Sequence, residues 1–364
     1  MPILAPRLKS GLRAIPRDQH QLYIGDSREG ILLDLIPYLP LVRICTGTLT
    51  MQEIASHLTI ELDLVETSIK RLLELGVVEM VEINEKVELI ERESHLQHHS
   101  HSYLRGEIER SLISHRSDDG GLCEWRHRGE FPIEIFGDNR IGRNLLALLS
   151  ASGFREIKLT LDPRDHTLLQ AQDINAMTVT SAHLAVNKVR HHAELVRLAQ
   201  IESDPPLKKS FRSPGAARLV VSTTPPHADS IQQWQSEGQS HLAVSDVVGG
   251  CIEISPIISP GGGPCLHCIS LHRRDALPSD LAELAIPRES KELPAPAAAL
   301  IAAMLATHIA NYVESNRSGR LLVENSSYSL RINLLDPCVP IARLKWNLHP
   351  ECGCVDVRRR ASPR

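Results

Sequence analysis

Two pairs of closely spaced cysteines constrain the fold of this chain more than any other feature of its sequence. Cys265 and Cys268 are separated by two residues in GGGPCLHC, and Cys352 and Cys354 by one residue in HPECGC. The glycines and prolines around both pairs predict tight turns, each presenting two thiols. Four thiolates complete the tetrahedral coordination of zinc and leave no open position for water. The sequence therefore predicts a structural zinc site that joins two distant segments of the chain.

Two alternatives for these thiols stay open on the sequence alone. A redox pair of the thioredoxin type would lie at a helix start directly after a strand and would not need a second pair. Reduced cysteines without a metal are the other alternative. The cysteines that have no close partner in sequence are expected to be small buried apolar residues: Cys45, Cys123, Cys251 and Cys338.

The composition is that of an ordinary globular protein. The chain has 364 residues, 42% of them apolar and 23% charged, with a formal net charge of −4. This length predicts two or three domains, and the charge argues against a nucleic-acid partner. There is no run of about 18 consecutive apolar residues that would span a membrane, and the N-terminus does not have the pattern of a signal peptide. We therefore expect a cytoplasmic protein that binds neither a membrane nor nucleic acid.

The N-terminal part of the chain predicts a small α+β domain. Residues 1–20 are expected to form a flexible N-terminal arm. In residues 21–90, the apolar runs QLYIG and GILLDLI predict a hairpin or a strand-to-helix turn. They are followed by MQEIASHL and LDLVETSIKRLLEL, which have helical periodicity, and by the strand-like VVEMVEI. This order of helix, turn, longer helix and strand predicts a winged-helix-like domain.

A different pattern begins after a polar, histidine-rich segment at 91–130, which we interpret as a linker with solvated histidines. From residue 131 onwards, strand-like and helix-like segments alternate, and an alanine-rich helix is predicted at 295–316. Such alternation is typical of an α/β fold with a Rossmann-like, doubly wound and mainly parallel sheet. We assign this fold to residues 131–355 and a basic tail to 356–364.

The loop after the first strand of this sheet is a modified dinucleotide-binding turn. Gly137 ends the strand and Gly142 opens the helix, where helix N–H groups bind phosphate in this fold. Asn139 replaces the central glycine of the usual pattern, and Asp138 adds a charge that repels phosphate. Asp162, after the second strand, stands where the fold places a ribose-binding acid, although an ordinary turn residue is an equally good interpretation. The loop supports the fold more strongly than it supports nucleotide binding.

Together, the cysteine pairs and the glycine loop make residues 131–355 resemble the ThiF/MoeB superfamily, the bacterial relatives of ubiquitin-activating enzymes. The segments PIISPGGGPCLHCISLHRRDALP and LHPECGC are most similar to one branch, the leader-peptide-binding partner proteins of thiazole/oxazole-modified peptide biosynthesis. This resemblance implies a peptide-recognition role for residues 21–90 and a separate YcaO-type cyclodehydratase as partner. It also implies that the chain can form a homodimer. Since this sequence has no catalytic-domain pattern after residue 355, we expect the partner enzyme to be a separate chain.

The resemblance also implies an ATP–Mg site, but the residues of this chain match it only in part. The nucleotide-binding positions of the superfamily correspond to Gly137, Gly142, Asp162 and Lys188, the last being the phosphate-binding lysine. Its magnesium-binding aspartate corresponds to a Ser-Thr-Thr sequence at 222–224. Without that carboxylate the metal and the transferred phosphate lose an anchor. We therefore expect a degenerate nucleotide site with no catalytic residue to assign; an active ATP-dependent adenylyltransferase is the alternative.

A binding role would place a leader peptide as an added strand on the edge of the small N-terminal sheet. We expect Leu22, Tyr23 and Ile24 to form that edge, and Ile69 and Leu73 to form the wall of the adjoining groove. Core packing is the alternative for each, and for Ile69 and Leu73 it is the more ordinary one. A DNA-binding winged helix is disfavoured by the acids of its second helix, and an NAD-dependent oxidoreductase by the interrupted glycine loop.

Overall fold

The computed structural model of this chain describes eleven segments. They are residues 4–9, 11–25, 30–82, 127–160, 167–175, 177–199, 219–259, 262–276, 293–317, 327–336 and 341–354. The chain divides into two compact units, and the boundary between them lies between His127 and Arg128. Most of the predicted linker 91–130 and all of the predicted tail 356–364 lie outside the described residues.

The first unit contains two antiparallel sheets. In the larger one, β3 (Gln21–Gly25) lies between β2 (Arg13–Pro16) and β4 (Gly30–Asp34). In the smaller one, β1 (Leu4–Leu8) pairs with β5 (Val78–Glu82). The expectation of a flexible N-terminal arm is therefore wrong for the described part of residues 1–20, because β1 and β2 are both paired with later strands.

Three helices separate β4 from β5: α1 (Leu35–Ile44), α2 (Met51–Leu58) and α3 (Leu62–Glu74). Helix α2 begins with a capping box. The Thr50 hydroxyl accepts from the backbone N–H of Glu53 at 3.2 Å, and the Glu53 carboxylate accepts from the N–H of Thr50 at 2.8 Å. The predicted order of two helices and a strand is confirmed. The winged-helix classification stays a prediction, since a three-stranded sheet and α1 come before these helices.

The second unit is built on a parallel four-stranded sheet with the order β7–β6–β8–β9. Its strands are β6 (Ile133–Phe136), β7 (Ile157–Thr160), β8 (Leu219–Ser222) and β9 (Ser240–Ala243). Strand β6 pairs in parallel with both β7 and β8. Strands β6 and β8 are short runs of buried residues, as expected where helices cover a sheet. The unit is a mixed α/β structure consistent with the predicted Rossmann-like fold.

Helices follow the strands of this sheet. They are α4 (Arg140–Ala151), α5 (Lys188–Ala199), α6 (Ala228–Ser236), α7 (Leu266–Ala276) and α8 (Ala295–Arg317). A second sheet has β11 (Tyr328–Asn333) between β10 (Cys251–Ile254) and β12 (Ala342–Lys345), all antiparallel. A 3-10 turn over Ser181–His183 and a short loop precede α5, which begins at Lys188.

The core of the second unit lies between the parallel sheet, α4 and α8. Judged only by its length and its apolar composition, the part of α8 over Ala295–Ser315 could cross a membrane. The polar residues Thr307, His308 and Asn311 interrupt its apolar run, which is why a count of consecutive apolar residues did not detect it. Many of its apolar side chains are buried in this core: Ala298, Ile301, Ala302, Leu305, Ala306, Ile309, Ala310 and Val313.

We expect Gly142→Ala to lower the free energy of unfolding of the second unit by about 1–3 kcal/mol. A methyl group at this position would lie 2.1 Å from the Gly137 carbonyl oxygen, so the loop or the helix start would have to move. Gly129→Ala is the matched control, because a methyl group there would find its nearest neighbours at 3.7 Å. Urea unfolding of both variants measures the difference, and equal stabilities would contradict this account of the loop.

Candidate functional site

The glycine loop lies at the topological switch point of the parallel sheet. The chain leaves β6 towards β7 on one side and returns to β8 on the other, so the carboxyl ends of β6 and β8 are neighbours. In open α/β sheets, ligands bind in the crevice at such a point. Gly137, which follows β6 with a φ of +102°, therefore comes to lie beside Thr223, which follows β8.

Side chains of the loop itself fill the space at the start of α4. The Asn139 side chain caps the helix, with Oδ1 accepting from the N–H of Gly142 at 2.8 Å. Its Nδ2 donates to the Thr223 carbonyl at 3.1 Å. The Thr223 hydroxyl in turn donates to the carbonyls of Phe136 and Gly137, both at 3.0 Å. The helix N–H that would face a phosphate in a dinucleotide-binding turn is thus bonded within the chain.

The Asp138 carboxylate is fully buried and receives three cationic or potentially cationic groups. Arg143 Nη1 lies 2.9 Å and His192 Nε2 3.0 Å from Oδ1, and Lys188 Nζ lies 2.8 Å from Oδ2 as an ion pair. Arg143 also reaches the buried Asp173, whose Oδ1 accepts from Nη2 at 2.9 Å. We call these five residues the Asp138 cluster. Lys188 and His192 share a face of α5 because they are four residues apart.

These contacts decide the ionisation of Asp138. Burial by itself raises the pKa of a carboxyl group, but here the hydrogen bond from His192 and the charge of Arg143 outweigh it. The pKa of Asp138 is therefore held far below its usual value, and the residue is an anion at neutral pH. The loop after β6 thus contains a buried negative charge.

The structure brings together three of the four predicted nucleotide-site residues, namely Gly137, Gly142 and Lys188. Asp162 lies outside the described residues. Sequence reasoning missed the roles of Arg143 and His192. The spacing of Lys188 and His192 was a usable signal for a shared helix face, whereas the approach of Arg143 to Asp138 depends on tertiary packing.

The four predicted zinc ligands lie together. Cys265 directly precedes α7, Cys268 is in its first turn, and Cys352 and Cys354 follow β12. All four sulfurs lie within 4.8 Å of one another. The sulfur of Cys265 lies 3.8 Å from that of Cys268 and 3.5 Å from that of Cys352, and the sulfur of Cys268 lies 3.4 Å from that of Cys354. Zinc–sulfur bonds of about 2.3 Å in a tetrahedron place sulfurs about 3.8 Å apart, so this arrangement fits a zinc ion.

The surroundings of the sulfurs also fit a metal. The N–H of His349 donates to Cys268 Sγ at 3.4 Å, and the N–H of Cys268 donates to Cys265 Sγ at 3.4 Å. Burial raises the pKa of the Cys352 thiol to about 11, so without a cation this group would stay protonated. A divalent cation would stabilise the thiolates. Zinc held here would have a complete set of protein ligands and would connect α7 to the segment after β12.

The predicted peptide-binding edge needs a correction. Leu22, Tyr23 and Ile24 lie in β3, which is the central strand of its sheet and is paired on both sides. The side chains of Leu22 and Ile24 are 0% exposed. The expectation that these residues form an edge is wrong, because residues 13–16, assigned to a flexible arm, form the additional strand β2. The edges of this sheet are β2 and β4.

Ile69 and Leu73 both lie on α3. Ile69 is fully buried in the core of the first unit, and Leu73 is partly buried against the same core. The inward side chains of β4, Ile31 and Leu33, pack against this core as well. The role of Ile69 and Leu73 as a groove wall stays a prediction.

The cysteines outside the two pairs differ in burial. Cys45 is buried as expected, whereas Cys251 is half-buried, and Cys123 and Cys338 lie outside the described residues.

Comparisons with known proteins find similarity in structure alone. No protein-family model and no curated protein matches the sequence. E. coli MccB with MccA-N7isoAsn superposes with a TM-score of 0.63 at 11% identity, over 96% of this chain and 99% of that one. E. coli MccB with ATP gives 0.62 at 12% identity, over 96% and 99%. The heterocyclase TruD gives 0.57 at 14% identity, over 96% of this chain and 42% of that chain.

A heterocyclase in complex with substrate and cofactor is also similar, with a TM-score of 0.60 at 13% identity over 98% of this chain and 40% of that one. This chain therefore spans about two fifths of each heterocyclase chain. At these identities the likeness shows the fold alone, which this chain shares with E. coli MccB and with parts of these heterocyclases.

We expect the purified protein to contain one zinc ion per chain. Cys268→Ser should lower zinc affinity by at least about tenfold, since loss of a direct ligand costs at least as much as loss of an outer-shell partner. Cys251→Ser is the matched control, because Cys251 lies outside the four-cysteine cluster. Metal analysis and competition with a chromophoric chelator give stoichiometry and affinity. Affinity should fall as the pH is lowered, because binding releases the Cys352 proton. A metal-free native protein would contradict the assignment.

We expect Asp138→Asn to lower the free energy of unfolding by about 3–5 kcal/mol at neutral pH, as when one partner of a buried ion pair is removed. The folded pKa of Asp138 lies below the unfolded value of 3.8, so the stabilisation is present above that value and is lost as the pH falls below it. The difference between wild type and variant should therefore shrink in acid. Asp229→Asn, an exposed acid on α6, is the control. Urea unfolding at several pH values measures both, and a pH-independent difference would contradict the assignment.

Proposed function

We propose that this chain binds the leader peptide of a precursor and presents it to a separate YcaO-type cyclodehydratase in the biosynthesis of a modified peptide, without using ATP itself. In this proposal, residues 21–90 form the recognition domain and residues 131–355 a ThiF-like domain held by structural zinc. The single observation that supports the absence of ATP use is the closed glycine loop, in which the Asn139 and Thr223 side chains bond to the loop backbone.

The structural neighbours support a role in peptide modification. One is MccB with a derivative of MccA, and two are heterocyclases, one of them with substrate and cofactor. The fold is thus found in MccB bound to an MccA peptide and in a heterocyclase bound to substrate and cofactor. Both structures match over nearly the whole of this chain. The substrate and the partner of this chain are part of the proposal.

The end of β8 supports the absence of ATP chemistry. The segment 222–224 has no carboxylate to hold magnesium, and the hydroxyl groups of Ser222 and Thr223 bond to nearby backbone. Ser222 Oγ donates to the Thr224 carbonyl at 2.7 Å, and Thr223 Oγ1 to the loop after β6. The carboxylate of Asp138, in the neighbouring loop after β6, is already paired with Lys188 and Arg143. Transfer of a phosphoryl or adenylyl group needs metal and positive charge at the phosphates.

Strand β4 is the better of the two edges for an added peptide strand. Strand β2 ends in Pro16, which has no backbone N–H to donate. Strand β4 has no proline, and its inward residues Ile31 and Leu33 pack on the same core as α3. A peptide paired with β4 would therefore obtain main-chain hydrogen bonds from the strand and apolar contacts on the core side of the sheet, the combination typical of strand addition.

The test uses the fluorescently labelled N-terminal half of a Cys/Ser/Thr-rich precursor encoded beside this gene. We expect Leu32→Asp to weaken its binding at least about tenfold, because a residue of β4 would be a cross-strand neighbour of the peptide at about 5 Å. Ile15→Asp in β2 is the matched control: Ile15 and Leu32 are 50% and 47% exposed, and both face Tyr23 across the sheet. Its affinity should stay within about twofold of wild type, since β2 lies two strand spacings from β4.

Fluorescence polarisation gives both affinities. Equal loss in the two variants would assign the effect to general destabilisation and contradict the β4 site. Absence of peptide binding by the wild-type chain, or absence of any such precursor and of a YcaO-type gene nearby, would contradict the proposed function.

An active ATP-dependent adenylyltransferase is the second candidate, and the retained Lys188 at the start of α5 favours it. It predicts magnesium-dependent exchange of labelled pyrophosphate into ATP in the presence of peptide, and loss of that exchange in Lys188→Ala. Our proposal predicts no exchange above a protein-free control.

A further inference from the structure

The Asp138 cluster resembles a phosphate-binding site that already contains its anion. In dinucleotide-binding folds, the pyrophosphate sits at the helix N-terminus after the glycine turn, where N–H groups and nearby cations face it. Here the corresponding helix is α4, which has twelve residues, and the cations come from α4 and α5. The group that they surround is a carboxylate of the loop itself.

The burial of the cations indicates that they are built to hold an anion. Arg143 is 0% exposed and Lys188 5% exposed, and both point to the same carboxylate. Buried charges of this kind are costly unless they are paired. Arg143 Nε has no hydrogen-bond partner although it is buried, so the guanidinium still has one unused donor at this site.

The charges balance only when Asp138 is present. The cluster contains two carboxyl side chains, Asp138 and Asp173, and two basic side chains, Arg143 and Lys188; His192 adds a further hydrogen-bonding group. Removing the Asp138 carboxylate leaves an excess of buried positive charge. Phosphate oxygens are strong acceptors for such groups, so an inorganic phosphate group is the external ligand best suited to restore the balance.

We propose that Asp138 is a built-in anion at the phosphate position of this fold: the wild-type chain excludes phosphate ligands, and a chain without this carboxylate binds inorganic pyrophosphate. This inference deepens the proposed function, because it gives the physical reason why the ThiF-like part does not use ATP. It rests on contacts within the second unit alone, so the outcome of a peptide titration does not affect it.

The decisive variants are Asp138→Ala and the double variant Asp138→Ala/Asn139→Gly. The second also removes the side chain that caps α4, which frees the N–H of Gly142 and gives a phosphate more room. Glycine is well tolerated at an N-cap position, so α4 should still form. Asp229→Ala removes the same charge from an exposed site on α6 and is the control. Adding Lys188→Ala to the double variant tests whether the cation is needed.

The measurement is calorimetric titration with sodium pyrophosphate, together with thermal unfolding with and without 10 mM pyrophosphate. We expect no binding and no shift in Tm for wild type and Asp229→Ala. At least one Asp138 variant should bind pyrophosphate at least tenfold more tightly than wild type and gain Tm, and Lys188→Ala should abolish that gain. A variant that is unfolded in buffer but folds in pyrophosphate also supports the proposal.

Three results would overturn it. The first is pyrophosphate binding by wild type as tight as by the variants. The second is folded Asp138 variants that do not respond to pyrophosphate, and the third is variants that stay unfolded with it, since either would make the cluster an ordinary structural ion-pair network. Failure of the proposed function is a separate result, because it is read from peptide binding to the first unit.

Discussion

The convergence of Arg143 and Lys188 on the buried Asp138 carboxylate is the interaction on which the second unit depends. It joins the loop after β6, the first turn of α4 and the first turn of α5 at the point where the sheet reverses its strand order. Each of these ions alone would be costly to bury, but together they compensate one another. In this arrangement the anion that the two buried basic side chains require is supplied by the loop itself.

The four-cysteine cluster brings together two other segments of the same unit, the start of α7 and the chain after β12. The start of α7 and the segment after β12 have few apolar side chains with which to pack, apart from the sulfurs and a small group around Ile258 and Leu271. A tetrahedral ion held by four thiolates would stabilise this junction in place of a larger apolar core. The backbone N–H groups that face the sulfurs are typical of outer-shell support for metal ligands.

The first unit shows how strand pairing changes the meaning of a sequence pattern. Leu22 and Ile24 alternate with Tyr23 as in a half-buried strand, and that part of the prediction agrees with their burial. Whether a strand lies at an edge or in the middle depends on which other strand reaches it. Residues 13–16 supply that strand although they have little apolar periodicity, so β3 is central and the two edges are β2 and β4.

The sequence by itself determined the elements with strong local signals: the α/β alternation from residue 131, the two periodic helices of the N-terminal part and the two thiol pairs. Local periodicity and ligand spacing act over a few residues, so they can be seen without the fold. Only the tertiary structure decided that β3 is central, that Arg143 and His192 reach Asp138, and that Asn139 and Thr223 close the glycine loop. These depend on contacts between residues far apart in the chain, whose geometry is set by how the strands pair and the helices pack.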